Sequence, residues 1–158
     1  MWETQEEIET DKQLIFNILK QTGINVREEQ IRFVNSGNPH KSKYPKNHIA
    51  IYTFQYQGEF LKIGKVSEKN KSRFYSHHYH PRRNQSNLSK SILADPTMSI
   101  HNLDDDSVGD WIRMNTKRVD LIIDASLGLF ALNLIEAILH AMYKPRYEGN
   151  KNLRYDLV

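Results

Sequence analysis

The sequence predicts an α+β fold in which a small central antiparallel sheet of about three strands is flanked by helices and preceded by an N-terminal helical extension. Three observations predict it. Two runs rich in Ile, Tyr, Thr and Phe, residues 48–55 and 60–66, stand on either side of Gly58, the pattern of a β-hairpin. A third run, residues 119–124 (VDLIID), reads as a buried strand. Residues 126–143 are apolar at nearly every position and long enough for a helix. Strands and helices do not alternate strictly, which favours α+β over a parallel α/β sheet.

The elements follow in order. Thr4 and Glu7 make a capping box for a helix over residues 4–22, Ile8, Ile15, Ile18 and Leu19 form its apolar stripe, and Gly23 stops it. Residues 30–35 form a short strand. The polar, Pro-containing stretch 36–47 then separates a helix–strand extension (1–37) from a main domain (38–158) that carries an insertion around 80–118. Three short helices are expected between the hairpin and the last strand. The first runs from a Ser67 cap through KNKSRFYSHHY, the second spans 87–93 before Asp95-Pro96, and the third starts at Ser107 with Asp110. The long helix ends before Pro145. The hairpin carries a geometric commitment. Tyr52 and Lys62 share a face if the loop is Tyr56-Gln57-Gly58, whereas a two-residue turn at Gln57-Gly58 sets Tyr52 opposite Ile63 and separates them.

Composition narrows the function. With 158 residues the chain is long enough for one domain with a real core, and without cysteine it has neither disulfides nor Cys-ligated zinc. The acidic N-terminus is not a secretion signal and the apolar run 127–132 is short, so a cytoplasmic protein with no membrane partner is expected. Charge is unevenly distributed. Residues 38–93 hold 11 Lys and Arg against 2 Asp and Glu, while 1–37 hold 4 against 7 and 94–136 hold 3 against 8. Such a basic block is an electrostatic footprint for a polyanion, most simply a nucleic-acid backbone. No Gly-rich phosphate loop points to nucleotide-triphosphate chemistry. The acidic run 104–106 lacks the Gly and Glu of a calcium loop, and the histidines at 77, 78 and 80 lack a second ligand cluster.

Three constellations carry chemistry. On the long helix Asn133, Glu136 and His140 share one face amid Leu, Ile and Ala, and a carboxylate there must be paired, protonated, bound to a cation or turned to water. Arg73 and His77 are four apart, the spacing of one helix face; Arg presents a fork suited to phosphate oxygens and His moves protons near neutral pH. Tyr52 and Lys62 supply a hydroxyl and a cation on the hairpin.

In this order the residues resemble the GIY-YIG nucleases. Ala50-Ile51-Tyr52, nine residues, and then Lys62-Ile63-Gly64 look like the family's paired signature. Lys65, the Arg73/His77 pair, Glu136 on a late apolar helix and Asn150 (or Asn152) continue the match over residues 48–152. Ala50 stands where the first motif has Gly. Lys62 stands where the second has Tyr, which resembles some small restriction-enzyme members. The resemblance implies a GIY-YIG-like fold and a divalent-metal-dependent DNA endonuclease, restriction-like or serving a mobile element or repair. In it Glu136 would hold one Mg²⁺ (or Mn²⁺), Arg73 would clamp phosphate, and Tyr52, Lys62 or His77 would handle the proton of the attacking water. Asn150 would support phosphate or metal. Lys65, Lys69, Lys71, Arg82, Arg83 and Lys90 would contact the DNA backbone, and the extension and insertion would set the target or pair two copies as a homodimer. The alternative on the same residues is a nucleic-acid-binding module without cleavage.

Overall fold

A computed structural model describes residues 2–41, 43–82 and 88–147. Helix α1 (Gln5–Gln21) starts at the expected capping box: Thr4 Oγ1 accepts from the Glu7 amide at 3.2 Å and Glu7 Oε2 accepts from the Thr4 amide at 2.9 Å. Strands β1 (Ile31–Asn35), β2 (His48–Tyr56), β3 (Glu59–Val66) and β4 (Lys117–Asp124) form one antiparallel sheet in the order β1-β4-β2-β3. The sheet therefore has four strands where about three were expected. The fourth is β1, drawn from the 1–37 extension and paired along β4 from Ile31↔Ile123 to Asn35↔Val119.

Both sheet faces are covered. On one, α1 and α5 (Gly128–Tyr143) pack Ile15, Leu19, Ile135 and Leu139 against Ile51, Ile63 and Leu121. The other is covered by α2 (Ser72–Tyr75), α3 (Leu88–Leu93) and α4 (Val108–Asn115), with Phe74, Leu88, Ile92 and Ile112 lying against Tyr52, Phe54 and Leu61. The extension belongs to the first of these cores. Trp2 is fully buried, meets Phe33, Phe60 and Tyr143 edge-on, and donates its indole N–H to Asp11 at 2.6 Å.

Two local expectations change. Residues 68–79 are not one helix but a 3₁₀ turn (Glu68–Asn70), the single turn α2 and a second 3₁₀ turn (His77–Tyr79). The break falls at Ser76, whose φ is −136° and whose hydroxyl bonds back to the Ser72 carbonyl, the competition with the helix ladder that serine is prone to. The break lets His78 and Tyr79 both turn into the sheet face. Secondly, α4 is capped from further upstream. Asp104 Oδ1 accepts from the Ser107 amide (2.8 Å) and hydroxyl (2.6 Å), so the acidic run is an exposed capping loop. Gly109 permits the close approach of α4, since a Cβ there would lie 2.5 Å from the Tyr79 carbonyl oxygen.

The continuous helical stretch Ala125–Tyr143 is 19 residues long and apolar enough to cross a membrane by length and composition, in contrast to the short run 127–132 considered alone. A core helix passes the same test, and this one lays Ala131, Leu132, Ile135 and Leu139 against the sheet.

Because Trp2 plugs the core between sheet, α1 and α5, Trp2→Ala is expected to lower the unfolding free energy by about 3–5 kcal/mol, measured by urea denaturation. An appendage peripheral to the core would lose less than about 0.5 kcal/mol.

Candidate active site

The hairpin turn determines which side chains share the site. Its loop is the two-residue turn Gln57-Gly58, both with positive φ (44° and 87°), the signature of the I′ class, and not the three-residue loop expected. The two-residue turn does not separate Tyr52 from Lys62, because the register shifts further up. Gln55 pairs with Phe60, yet Phe54 pairs with Lys62, leaving Leu61 as an extra residue. This β-bulge restores the parity, since each residue inserted reverses which face later side chains point to. Tyr52 then lies opposite Gly64, with Lys62 on its diagonal and on the same face.

Tyr52 lies over that glycine. A Cβ at Gly64 would run into the phenol of Tyr52, with Cε2 at 2.9 Å and Cζ and the oxygen closer still. Only glycine leaves room at this edge-strand position for the ring to lie flat across β3. The other side of the ring meets His78, centroids 4.6 Å apart. Lys62 is 8% exposed and donates from Nζ to the Tyr147 carbonyl at 3.2 Å. That carbonyl is in place because residues 146 and 147 pair with the outer edge of β3 at the bulge, their amides donating to the Phe60 and Leu61 carbonyls at 2.9 Å each. Tyr147 is tethered in turn by its hydroxyl, which donates to Asp95 at 2.7 Å.

His78 is the hub. Burial holds its ring well below the ordinary imidazole range, and the positive charges of Lys62, Arg118, Arg73 and His77 push the same way. Neither ring nitrogen of His78, nor Nη2 of Arg118, has a hydrogen-bond partner among the described residues. Arg118 is itself fully buried. Its Nε donates to Asp120 (2.9 Å), its Nη1 donates to the Tyr79 hydroxyl (2.8 Å), and its plane lies 4.5 Å from the Phe74 ring centre. The chain of bonds continues outward, as Tyr79 pairs with His40 Nδ1 (3.0 Å) and His40 Nε2 reaches the Ile112 carbonyl (3.0 Å). Since a carbonyl only accepts, Nε2 carries the proton, Nδ1 accepts from Tyr79, and the His40 ring is neutral. Its pKa is pulled down to about 4 by burial and then by Arg118.

The residues singled out from sequence are distributed as follows. Tyr52 and Lys62 are together, with Arg73, which is exposed, and His77, half-buried, close enough for their charges to act on His78. Arg73 and His77 do not share a helix face, because the helix breaks between them at Ser76. Glu136 approaches from the other side of the sheet, where its carboxylate forms an ion pair with Lys65 Nζ at 2.7 Å. Lys65 is thus engaged in that pair. It follows Gly64 directly, so the Tyr52 ring and the Glu136 carboxylate reach adjacent residues of one edge strand from opposite faces. Lys69, Lys71, Arg82 and Lys90 are exposed; Lys71 pairs with Glu68 and Arg82 with Asp105. Arg83 and Asn150 lie outside the described residues.

Sequence reasoning missed His78, Arg118, Asp120, Tyr79 and His40. One signal was available: Arg118 and Asp120 are two apart in a strand flanked by apolar residues, so they share a face and must satisfy one another if buried. No family model, curated protein or solved structure matches the chain.

Two expectations follow. Gly64→Ala forces the Tyr52 ring off β3, with an expected loss of about 1–3 kcal/mol of stability and displaced His78 ring resonances in NMR spectra. The second concerns pH. His40 and His78 are neutral when folded but protonate near 6.5 when unfolded. Their contribution is therefore complete above about pH 6.5 and is lost as pH falls through the window towards about 4. The unfolding free-energy difference between wild type and His40→Gln should accordingly shrink on going from pH 7 to pH 4.5 in urea melts.

Proposed function

We propose that the chain is a divalent-metal-dependent endonuclease hydrolysing DNA phosphodiester bonds, on a GIY-YIG-like arrangement of its hairpin and last helix. The observation that carries this reading is the Tyr52 ring held between Gly64 and His78, with Lys62 on the same sheet face and the charges of Lys62 and Arg73 both acting on His78. The charges of three cations, Lys62, Arg73 and Arg118, act on His78, with Asp120 already bound to Arg118. A surplus of positive charge with buried donors left over suits a phosphate, which offers several strong acceptors and spreads negative charge in the transition state.

The roles follow from chemistry and position. Arg73, exposed at the rim, clamps a non-bridging oxygen. The Tyr52 hydroxyl and the Lys62 amine, on one face and diagonal to each other, orient and deprotonate the attacking water, and His77 relays the proton. His78 is a positioning residue that holds the Tyr52 ring against Gly64. Among the described residues no three His, Asp or Glu side chains gather into a metal cage. Mg²⁺ does not ask for one, since it keeps several waters and takes one or two carboxylates together with substrate phosphates; Glu136, which meets the edge strand from the opposite face and is ion-paired with Lys65, would have to exchange that pair for the ion and hold it around the strand edge. When bound, the ion would act as Lewis acid on the phosphate and the leaving oxygen. The setting this activity requires is a DNA-containing compartment such as the cytoplasm.

A second reading, a nucleic-acid-binding module without cleavage, draws on one observation: Lys65 already neutralises Glu136. Supercoiled plasmid incubated with Mg²⁺, Mn²⁺ or EDTA separates the two. Nicked or linear product only with metal is the expected result, and binding without cleavage under every condition selects the second reading. In the same assay Glu136→Gln and Lys62→Met should each lower the cleavage rate at least 100-fold, about 2.7 kcal/mol in the barrier, while DNA affinity changes less than about threefold.

A further inference from the structure

The stretch between the extension and the hairpin, residues 38–47, reads in sequence as a polar connecting loop, yet the structure builds it as a surface. Its inward residues are anchored. His40 is fully buried and tied to Tyr79 and the Ile112 carbonyl. Tyr44, 6% exposed, lies edge-on to Phe74 at 5.5 Å and to Tyr75 at 6.5 Å, and its hydroxyl donates to the His48 carbonyl. Lys41 and Lys43, between these anchors, and Lys46, just beyond the second, all face solvent. The Tyr44 contacts set this loop beside residues 68–75, which bring Lys69 and Arg73, also exposed.

The charges here are unmatched. Residues 38–47 contain no Asp or Glu. Among the described residues Lys41, Lys43, Lys46, Lys69 and Arg73 make no ion pair. Several cations elsewhere are matched, Lys12 by Glu28, Arg27 by Glu29, Lys117 by Glu3 and Arg146 by Asp95, whereas Lys20 and Arg32 are exposed and also make no ion pair among the described residues. Unpaired like charges repel, and a group of them on one surface attracts a polyanion.

We infer that Lys41, Lys43 and Lys46, exposed beside the buried His40 and Tyr44, form a phosphate-contacting surface that grips the backbone of duplex DNA and leads it past Arg73 to the Tyr52–Lys62 site. The inference rests on the nucleic-acid reading above and adds to it a segment and a contact number. Fixing the backbone that carries these lysines by burial of the neighbouring His40 and Tyr44 reduces the ordering cost of binding. Backbone contacts of this kind confer affinity and register, not sequence choice.

The test is the salt dependence of affinity, in EDTA so that nothing is cut. Fluorescence anisotropy of a labelled 30-base-pair duplex of mixed sequence is titrated between 0.05 and 0.3 M salt for three full-length proteins: wild type, Lys41→Gln/Lys43→Gln/Lys46→Gln, and a control, Lys20→Gln/Arg27→Gln/Arg32→Gln, that removes three exposed charges elsewhere. Circular dichroism and the melting midpoint verify the fold of each. The loop variant should bind on the order of 10- to 100-fold more weakly at 0.1 M salt, with a log–log slope smaller by about 2 to 3, one unit per lost phosphate contact. The control should keep at least two-thirds of the wild-type slope. A loop variant with the wild-type slope, or a control that loses as much, overturns the phosphate-contacting surface and leaves the nuclease reading standing. A wild type that fails to bind duplex overturns both.

Discussion

One extra residue in an edge strand governs the chemistry of this protein. The tight Gln57-Gly58 turn by itself would set Lys62 opposite Thr53, on the face covered by α1 and α5. Leu61 bulges out of the ladder and reverses the parity, so that Lys62 points to the side that carries Tyr52. The bulge is held from outside, where the chain after α5 pairs with the Phe60 and Leu61 carbonyls. That segment is also what presents the Tyr147 carbonyl to Lys62. The device that turns the lysine inward and the acceptor that fixes its amine thus have the same origin.

The second organising element is the buried guanidinium of Arg118. A fully desolvated charge is tolerated only when paired and hydrogen-bonded, and Arg118 meets that condition with groups from distant parts of the chain. Asp120 neutralises it and is itself bonded by Ser36 at 2.8 Å, Tyr79 accepts from it, and His40 accepts from Tyr79. The network links Ser36 just after β1, the loop that follows it, the turn carrying His78 and the C-terminal half of α4. It explains why His78 and Tyr79 must leave the helix in which the sequence places them, since a continuous helix over residues 68–79 would not bring both to the sheet. The same arrangement places positive charge behind the Tyr52 and His78 rings, which gives the site its affinity for anions in the proposed function.

Much of the architecture was legible in the amino-acid sequence. The Thr4/Glu7 box, the two strands around Gly58, the buried strand at 119–124 and the apolar last helix all arise from local rules of capping, alternation and periodicity, and each stands close to its expected place. The short elements between residues 67 and 107 were less legible. Ser76 and Asp104 act there through side chain-to-backbone bonds whose geometry depends on what the neighbouring residues bury. Within the candidate site Tyr52 and Lys62 could be paired from sequence, although for a different turn. Glu136 was recognisable as an anomalous carboxylate on an apolar helix, but its partner Lys65 was not.

By itself, then, the sequence determined the α+β class, the order of elements, the basic block and the residue types able to handle phosphate, because these depend on nearest neighbours and on composition. Tertiary structure alone decided the face on which Lys62 lies, the need for glycine beneath Tyr52, the burial of His78 near Lys62, Arg73 and Arg118, and the exposure of three lysines on an anchored loop. These outcomes depend on packing between segments far apart in the chain, such as Tyr147 on Lys62 and Arg118 near His78, and on register, burial and the low dielectric of the interior, none of which is encoded in any local stretch of chain.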